Sequence, residues 1–246
     1  MIFQPFYSAD GGCASYLFGC GTVGLCALVD PRESHVEAYT AAARAKKMRI
    51  AHVIETHVHA DHRSGGRALA AATGAAYHLH RNADVSFPFE PLDDGQVVEM
   101  GNTIIRVLHT PGHTPESIAL LVTDLRRGPE PWFVLTGDTI FVGAVGRPDL
   151  PGNKEGNAAL LHASIHEKLL PLPGELEIYP AHFLGSACGA GLNLSGKPCS
   201  TLAFEKRWNR VLSMDRDAFV AHVSGAVAAP PSEFDTILRF NQGRSP

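Results

Sequence analysis

The five cysteines of this chain include no CxxC pair, and their number is odd. A disulfide framework and a structural zinc ribbon both need paired cysteines at set spacings, so neither organises this protein. Cys13, Cys20 and Cys26 lie in or beside apolar segments and are expected to act as small buried hydrophobes in a reducing compartment. No apolar run approaches the roughly 20 residues of a membrane helix. The opening Met1-Ile2-Phe3-Gln4 lacks the basic and apolar regions of a signal peptide, which makes the cytoplasm the expected address. Basic stripes are missing too: 21 Lys and Arg stand against 25 Asp and Glu, for a formal net charge of -4. That balance argues against nucleic acid as a partner. What remains is a globular composition, 246 residues at 45% hydrophobic, enough to bury one large α/β or β-sandwich core.

Histidine is what the chain has. His57-Val58-His59-Ala60-Asp61-His62 places four metal-capable side chains in six positions, directly after the apolar run Ile50 to Ile54. On an extended segment alternate side chains point the same way, so one short stretch can grip one or two ions of zinc, iron or manganese.

Phe3 to Phe6, Ala14 to Phe18 and Gly24 to Val29 read as strands between glycine-rich turns, and Glu33 to Lys47 as an alanine-rich helix. Ala51 to Glu55 is a buried strand that runs into the histidine cluster, and Ser64 to Thr73 a helix closed by Gly74. Further strands are expected at Val97 to Met100, Thr103 to Leu108, Ile118 to Thr123, Trp132 to Leu135 and Glu177 to Tyr179. Helices are expected at Asn157 to Leu169, Leu202 to Leu212 and Asp215 to Ser224. This outline suits two sheets packed face to face with helices outside.

Three more segments end an apolar strand with a metal-capable residue among turn formers: Thr110-Pro111-Gly112-His113-Thr114-Pro115, Leu135-Thr136-Gly137-Asp138 and Tyr179-Pro180-Ala181-His182. A lone histidine beside a turn is usually structural. Four such strand ends in one chain point to a shared metal centre.

In order, HxHxDH, TPGHT, GD and PAH resemble the ligand series of the metallo-β-lactamase superfamily. The resemblance implies an αββα sandwich, a single domain over residues 1–246 in which 183–246 form a C-terminal loop and helical extension. It also implies two competing metal arrangements. In a hydrolase, His57, His59 and His113 would hold one zinc and Asp61, His62 and His182 another, bridged by Asp138 and by a nucleophilic hydroxide. In an oxygenase, the catalytic His57, His113 and Asp138 form a facial triad on one Fe(II), while His59, Asp61, His62 and His182 orient ligands and substrate.

Asp138-Thr139-Ile140-Phe141-Val142-Gly143 through Arg147-Pro148-Asp149 is similar to a GDTLFxGxxGRxD stretch of persulfide dioxygenases and some glyoxalase II-like enzymes. Pro180-Ala181-His182 through Gly185-Ser186-Ala187-Cys188-Gly189, and Ser200-Thr201 through Glu205-Lys206-Arg207, resemble segments of the persulfide dioxygenase-like proteins often fused to rhodanese domains. This implies oxidation of a low-molecular-weight persulfide by O2 to sulfite and thiol. The alternative is a dinuclear zinc thioesterase of glyoxalase II type. The expected substrate contacts are Arg147, through a carboxylate of a glutathione-like carrier, and Cys188 near the mouth of the site. Their plainer roles are an ion pair with Asp149 and a buried inert thiol. The chain stops about where a rhodanese domain begins in fused relatives, so a sulfurtransferase step is expected to fall to a separate protein. A homodimer is left open. Phe183-Leu184 replaces the small residues of many relatives, which leaves the carrier thiol open as well.

Overall fold

The computed structural model describes residues 1–8, 11–150, 152–184, 189–190, 194–225 and 230–245. The first sheet holds β1 (Ile2–Tyr7), β2 (Ala14–Cys20), β3 (Leu25–Val29), β4 (Arg49–Ile54), β5 (Ala76–His80) and β6 (Glu90–Leu92), side by side in that order. β1 to β3 form an antiparallel meander, and β3 to β6 are parallel. Helices α1 (Val36–Ala45) and α2 (Gly66–Thr73) make the crossovers that parallel pairing requires. The second sheet contains β7 (Val97–Met100), β8 (Thr103–His109), β9 (Ile118–Asp124), β10 (Phe133–Gly137), β12 (Glu177–Pro180) and β14 (Ser200–Thr201). Its order is β14-β12-β10-β9-β8-β7, parallel only between β10 and β12. A two-residue ribbon pairs β11 (Val145–Gly146) with β13 (Gly189–Ala190). Helices α3 (Lys154–Ala163), α4 (Leu202–Trp208), α5 (Arg216–Gly225) and α6 (Phe234–Asn241) complete the chain.

The strand sequences explain the layering. Both sheets are covered on both faces, so their central strands are apolar throughout instead of alternating with polar residues. Ala27 and Val29 face the opposite sheet, together with Phe18, Ile54, Ile105, Val107, Leu120 and Phe133. Cys26 and Leu28, on the other parity, pack with Tyr39, Ala43 and Leu69 of the first helical layer. Leu121 and Val134 pack with Leu161 of α3, Ile165 beyond it, and Phe219 of α5. Each such side chain, taken fully out of water, contributes about 1.5–3 kcal/mol.

The expected αββα sandwich is the observed fold. Several boundaries differ. The helix expected from Asn157 begins at Lys154 and runs on as a π-helical turn to Leu169. The one expected over Leu202 to Leu212 breaks at Asn209, whose extended backbone separates α4 from a short 3-10 turn. β5, β6 and α6 were not foreseen. No helix of the described residues is long and apolar enough to cross a membrane.

Thr201 caps α4, its hydroxyl accepting a hydrogen bond from the Phe204 amide at 3.3 Å. Thr201→Ala should cost about 1 kcal/mol, read as a lower urea midpoint with unchanged m-value. An unchanged midpoint would show that the cap contributes nothing.

Candidate metal centre

The C-terminal ends of β4, β10 and β12 and the β8–β9 loop converge at one edge of the sandwich and carry all seven expected residues there. The approach of β10 to β4 is close: a side-chain carbon on Gly137, where φ is +52°, would lie 2.8 Å from Thr56 Oγ1. Glycine is required there, and it lets Asp138 reach His57.

His57, His113 and Asp138 are buried and bring one ligand atom each within 4.8 Å of one another. Asp138 Oδ2 is 3.5 Å from His113 Nε2 and 3.9 Å from His57 Nε2. His113 Nδ1 donates to the Arg147 carbonyl at 2.8 Å; a carbonyl only accepts, so the proton sits on Nδ1 and the Nε2 lone pair is left inward. Thr56 does the same for His57. Its hydroxyl donates to Asp30 Oδ2 at 2.9 Å and therefore accepts from His57 Nδ1 at 3.0 Å. His57 Nε2 and Asp138 Oδ2 are buried without a hydrogen-bond partner. Unpaired buried polar atoms are costly in a protein interior, and a divalent cation satisfies both. Burial and neighbouring imidazoles hold His57 well below the usual histidine range, and burial lowers His113, so both are neutral donors.

His182 is held differently. Nδ1 contacts Asp138 Oδ1 and Nε2 contacts Asp61 Oδ2, each at 2.7 Å. Burial opposes its charge, but the two carboxylates overcome it and raise His182 well above the ordinary value. His59 Nε2 lies 3.2 Å from both Asp30 Oδ1 and Glu55 Oε2, which likewise outweigh burial and raise it. His59 Nδ1 and His62 Nε2 have no hydrogen-bond partner.

Sequence reasoning missed four residues at this centre. Asp30 and Glu55 bracket His59. Asn241, at the end of α6, donates to the carbonyls of His59 and His62 at 2.7 and 2.8 Å and accepts from the Ser64 amide, clamping the ligand loop. Cys13 is buried as expected, but not among apolar neighbours: its Sγ is 3.7 Å from Asp61 Oδ2 and 3.8 Å from His62 Nδ1. Burial opposes ionisation of this thiol, yet hydrogen bonds with His182 and His62 bring it down to about 7. Cys13, Asp61, His62 and His182 form a second group of candidate ligands beside the first.

Arg147 is buried, with Nε and Nη2 on the two carboxylate oxygens of Asp149 at 2.7 and 2.8 Å. The ion pair named as its plainer role is therefore present, and its carbonyl aims His113. Cys188 lies outside the described residues.

Two sheets packed face to face, with a His/Asp cluster of candidate metal ligands at their edge, define the metallo-β-lactamase type of fold, and the comparisons agree. The chain belongs to the metallo-β-lactamase superfamily, whose family model matches residues 9–182. The bovine mitochondrial persulfide dioxygenase ETHE1 is 25% identical over 98% of this chain and 87% of its own length. The crystal structure of ETHE1 from Myxococcus xanthus superposes with a TM-score of 0.85 at 30% identity, covering 98% of both chains. A hydroxyacylglutathione hydrolase of a Polaromonas strain is 33% identical over 68% of this chain and 61% of its own.

Proposed function

We propose that this protein is a non-haem iron dioxygenase that oxidises a low-molecular-weight persulfide, glutathione persulfide or a similar one. The overall change is R–S–SH + O2 + H2O → R–SH + H2SO3, in which the outer sulfur is oxidised and O2 reduced. The observation that carries this reading is the convergence of a two-histidine, one-carboxylate set, His57, His113 and Asp138, beside a His182 whose two nitrogens are both engaged by carboxylates, Asp138 and Asp61. His57 Nε2, His113 Nε2 and Asp138 Oδ2 would hold the ion. Fe(II) held there would supply the Lewis acidity toward an anionic persulfide and the redox chemistry toward O2 that the overall change needs.

The protein's own part is positioning. Thr56 and the Arg147 carbonyl fix the two imidazole tautomers, and His182 fixes Asp138. Asp61, held well below the usual carboxylate range by His182 and His62 despite its burial, stays anionic and keeps His182 in place. The Arg147–Asp149 pair braces the loop behind His113, so a contact from Arg147 to the carrier would have to be made alongside that pair. A separate rhodanese-type sulfurtransferase fits the reading as supplier or acceptor of sulfur. The extent of similarity supports it further, since the dioxygenase match spans nearly the whole chain and the hydrolase match about two thirds.

The unpartnered His59 Nδ1 and His62 Nε2 favour a second reading, the dinuclear zinc thioesterase, because a histidine bound to carboxylate through one nitrogen is oriented to ligate through the other. Anaerobically purified protein separates the two. The dioxygenase consumes O2 on glutathione persulfide, and His62→Ala keeps stoichiometric iron. Zinc-loaded protein that hydrolyses S-lactoylglutathione, consumes no O2 and loses half its metal in His62→Ala would establish the thioesterase instead.

A further inference from the structure

Glu205, in the Glu205-Lys206-Arg207 segment of α4, has no part in either metal arrangement, yet its carboxyl group is buried at 1% exposure. Among the described residues its Oε2 accepts from the Gly143 amide at 2.9 Å, while Oε1 is buried without a hydrogen-bond partner. Burying a carboxyl group for one backbone hydrogen bond is costly, so its place calls for a reason. Asn209 follows one helical turn on, its amide donating to the Glu205 carbonyl at 2.9 Å. It is buried as well, and its Nδ2 donates to the Ala144 carbonyl at 3.1 Å. We propose that Glu205 and Asn209 are positioning residues for the metal centre: from α4 they hold the turn at Gly143 and Ala144, and through it the Arg147 carbonyl that sets the proton of His113.

The links between are short. The Ala144 carbonyl also accepts from the Phe141 amide at 3.0 Å, and Val145 bridges Ile140 across the turn. Ile140 and Val145 pack with Leu202 of α4 in one apolar cluster. At Gly146 a side-chain carbon would lie 1.9 Å from the Asp138 carbonyl oxygen and 3.3 Å from His113 Cβ, so the chain runs directly against two candidate ligands. Arg147 comes next, its carbonyl 2.8 Å from His113 Nδ1. Only Val145 and Gly146 thus separate the carbonyl held by Asn209 from the one that His113 uses. The helix is itself anchored to the second sheet's side of the fold, the Leu202 amide donating to the Leu176 carbonyl at 2.9 Å and the Ala203 amide to the Gly174 carbonyl at 2.7 Å.

No bond is made or broken in this role. Without its clamp the turn is free to retreat and draw the Arg147 carbonyl off Nδ1, and His113 can then carry its proton on Nε2, where it blocks ligation. The inference rests on the proposed function only in taking His113 as a ligand through Nε2, which the dioxygenase and thioesterase arrangements share.

The test compares full-length wild type with Glu205→Ala, Glu205→Gln and Asn209→Ala. Long-range nitrogen–proton NMR couplings in metal-free protein carrying isotope-labelled histidine read the His113 tautomer, and anaerobic Fe2+ titration reads the affinity. Each alanine variant should place part of the His113 population in the Nε2–H form and weaken iron by about 10–100-fold. Glu205→Gln, whose amide oxygen can still accept from Gly143, should return both readings to those of wild type. A merely structural role would lower the urea midpoint and leave the tautomer as it was. Asn209→Ala removes a different contact of the same turn and decides the matter if Glu205→Ala fails to fold. The proposal is overturned if a folded alanine variant keeps His113 wholly in the Nδ1–H form, or binds iron as tightly as wild type. If wild type took up no iron, the proposed activity would fall, and the tautomer comparison in metal-free protein would decide the positioning role by itself.

Discussion

Replacing Asp138 by asparagine is expected to empty the metal centre while leaving the fold in place. The amide keeps an oxygen that can accept from His182 Nδ1, now met at 2.7 Å, so the buried imidazole retains its partner. What disappears is the negative charge and the Oδ2 that faces His113 Nε2 and His57 Nε2 at 3.5 and 3.9 Å. Loss of a partner outside the ligand set usually costs 10–100-fold in metal affinity, and loss of a charged ligand should exceed about 100-fold. Metal per chain after desalting should therefore fall to near zero, and O2 consumption on glutathione persulfide should fall with it. Asp138→Ala is a different experiment. It strands a buried cationic His182 with Asp61 as its remaining carboxylate, which adds about 3–5 kcal/mol of destabilisation. Full metal content and activity in Asp138→Asn would remove this residue from the ligand set under either enzymatic reading.

The convergence of the seven candidate residues was legible for one reason: each stands where an apolar strand gives way to turn residues, and strands of one sandwich that end at the same edge bring such residues together. The αββα layering was legible from the same apolar runs. The supports of the site were not. Asn241 clamps carbonyls 179 and 182 residues earlier in the chain, and no local pattern encodes that pairing. Asp30 lies in Val29-Asp30-Pro31, which reads as a turn, and Glu55 looks like the polar end of a strand. β5 escaped notice because His78 and His80 interrupt its apolar character. They are buried nonetheless, His78 against His52 with nitrogens 3.0 Å apart and His80 stacked on His109 at 3.8 Å. α6 is eight residues long and follows Pro230-Pro231, too short for its periodicity to stand out. Cys13 was read by its apolar neighbours in sequence, whereas its surroundings in space come from residues 61, 62 and 182.

Asp30 provides the sharpest test of how the first layer of ligands is aimed. Its Oδ1 accepts from the Thr56 amide at 2.7 Å and lies 3.2 Å from His59 Nε2, while its Oδ2 accepts from the Thr56 hydroxyl at 2.9 Å. Asp30→Ala removes all three partners from buried groups. It also puts alanine at φ +51°, a left-handed conformation that asparagine and aspartate tolerate better. A loss of about 3–5 kcal/mol is expected, in line with breaking a buried charged network, measured by denaturant unfolding. Asp30→Asn isolates the proton logic. One carboxamide position is now an N–H donor; placed at Oδ2 it obliges the Thr56 hydroxyl to accept, and that hydroxyl must then donate to His57 Nδ1. His57 is thereby driven to the tautomer with its proton on Nε2, the atom that should ligate. With the amide turned the other way, its N–H meets the Thr56 amide donor, and one buried hydrogen bond goes unmade at about 1–3 kcal/mol. Asp30→Asn should consequently stay folded, with metal affinity down by 10–100-fold under anaerobic iron titration. An asparagine variant that binds iron as tightly as wild type would show that the His57 tautomer is set by something other than the Asp30–Thr56 relay.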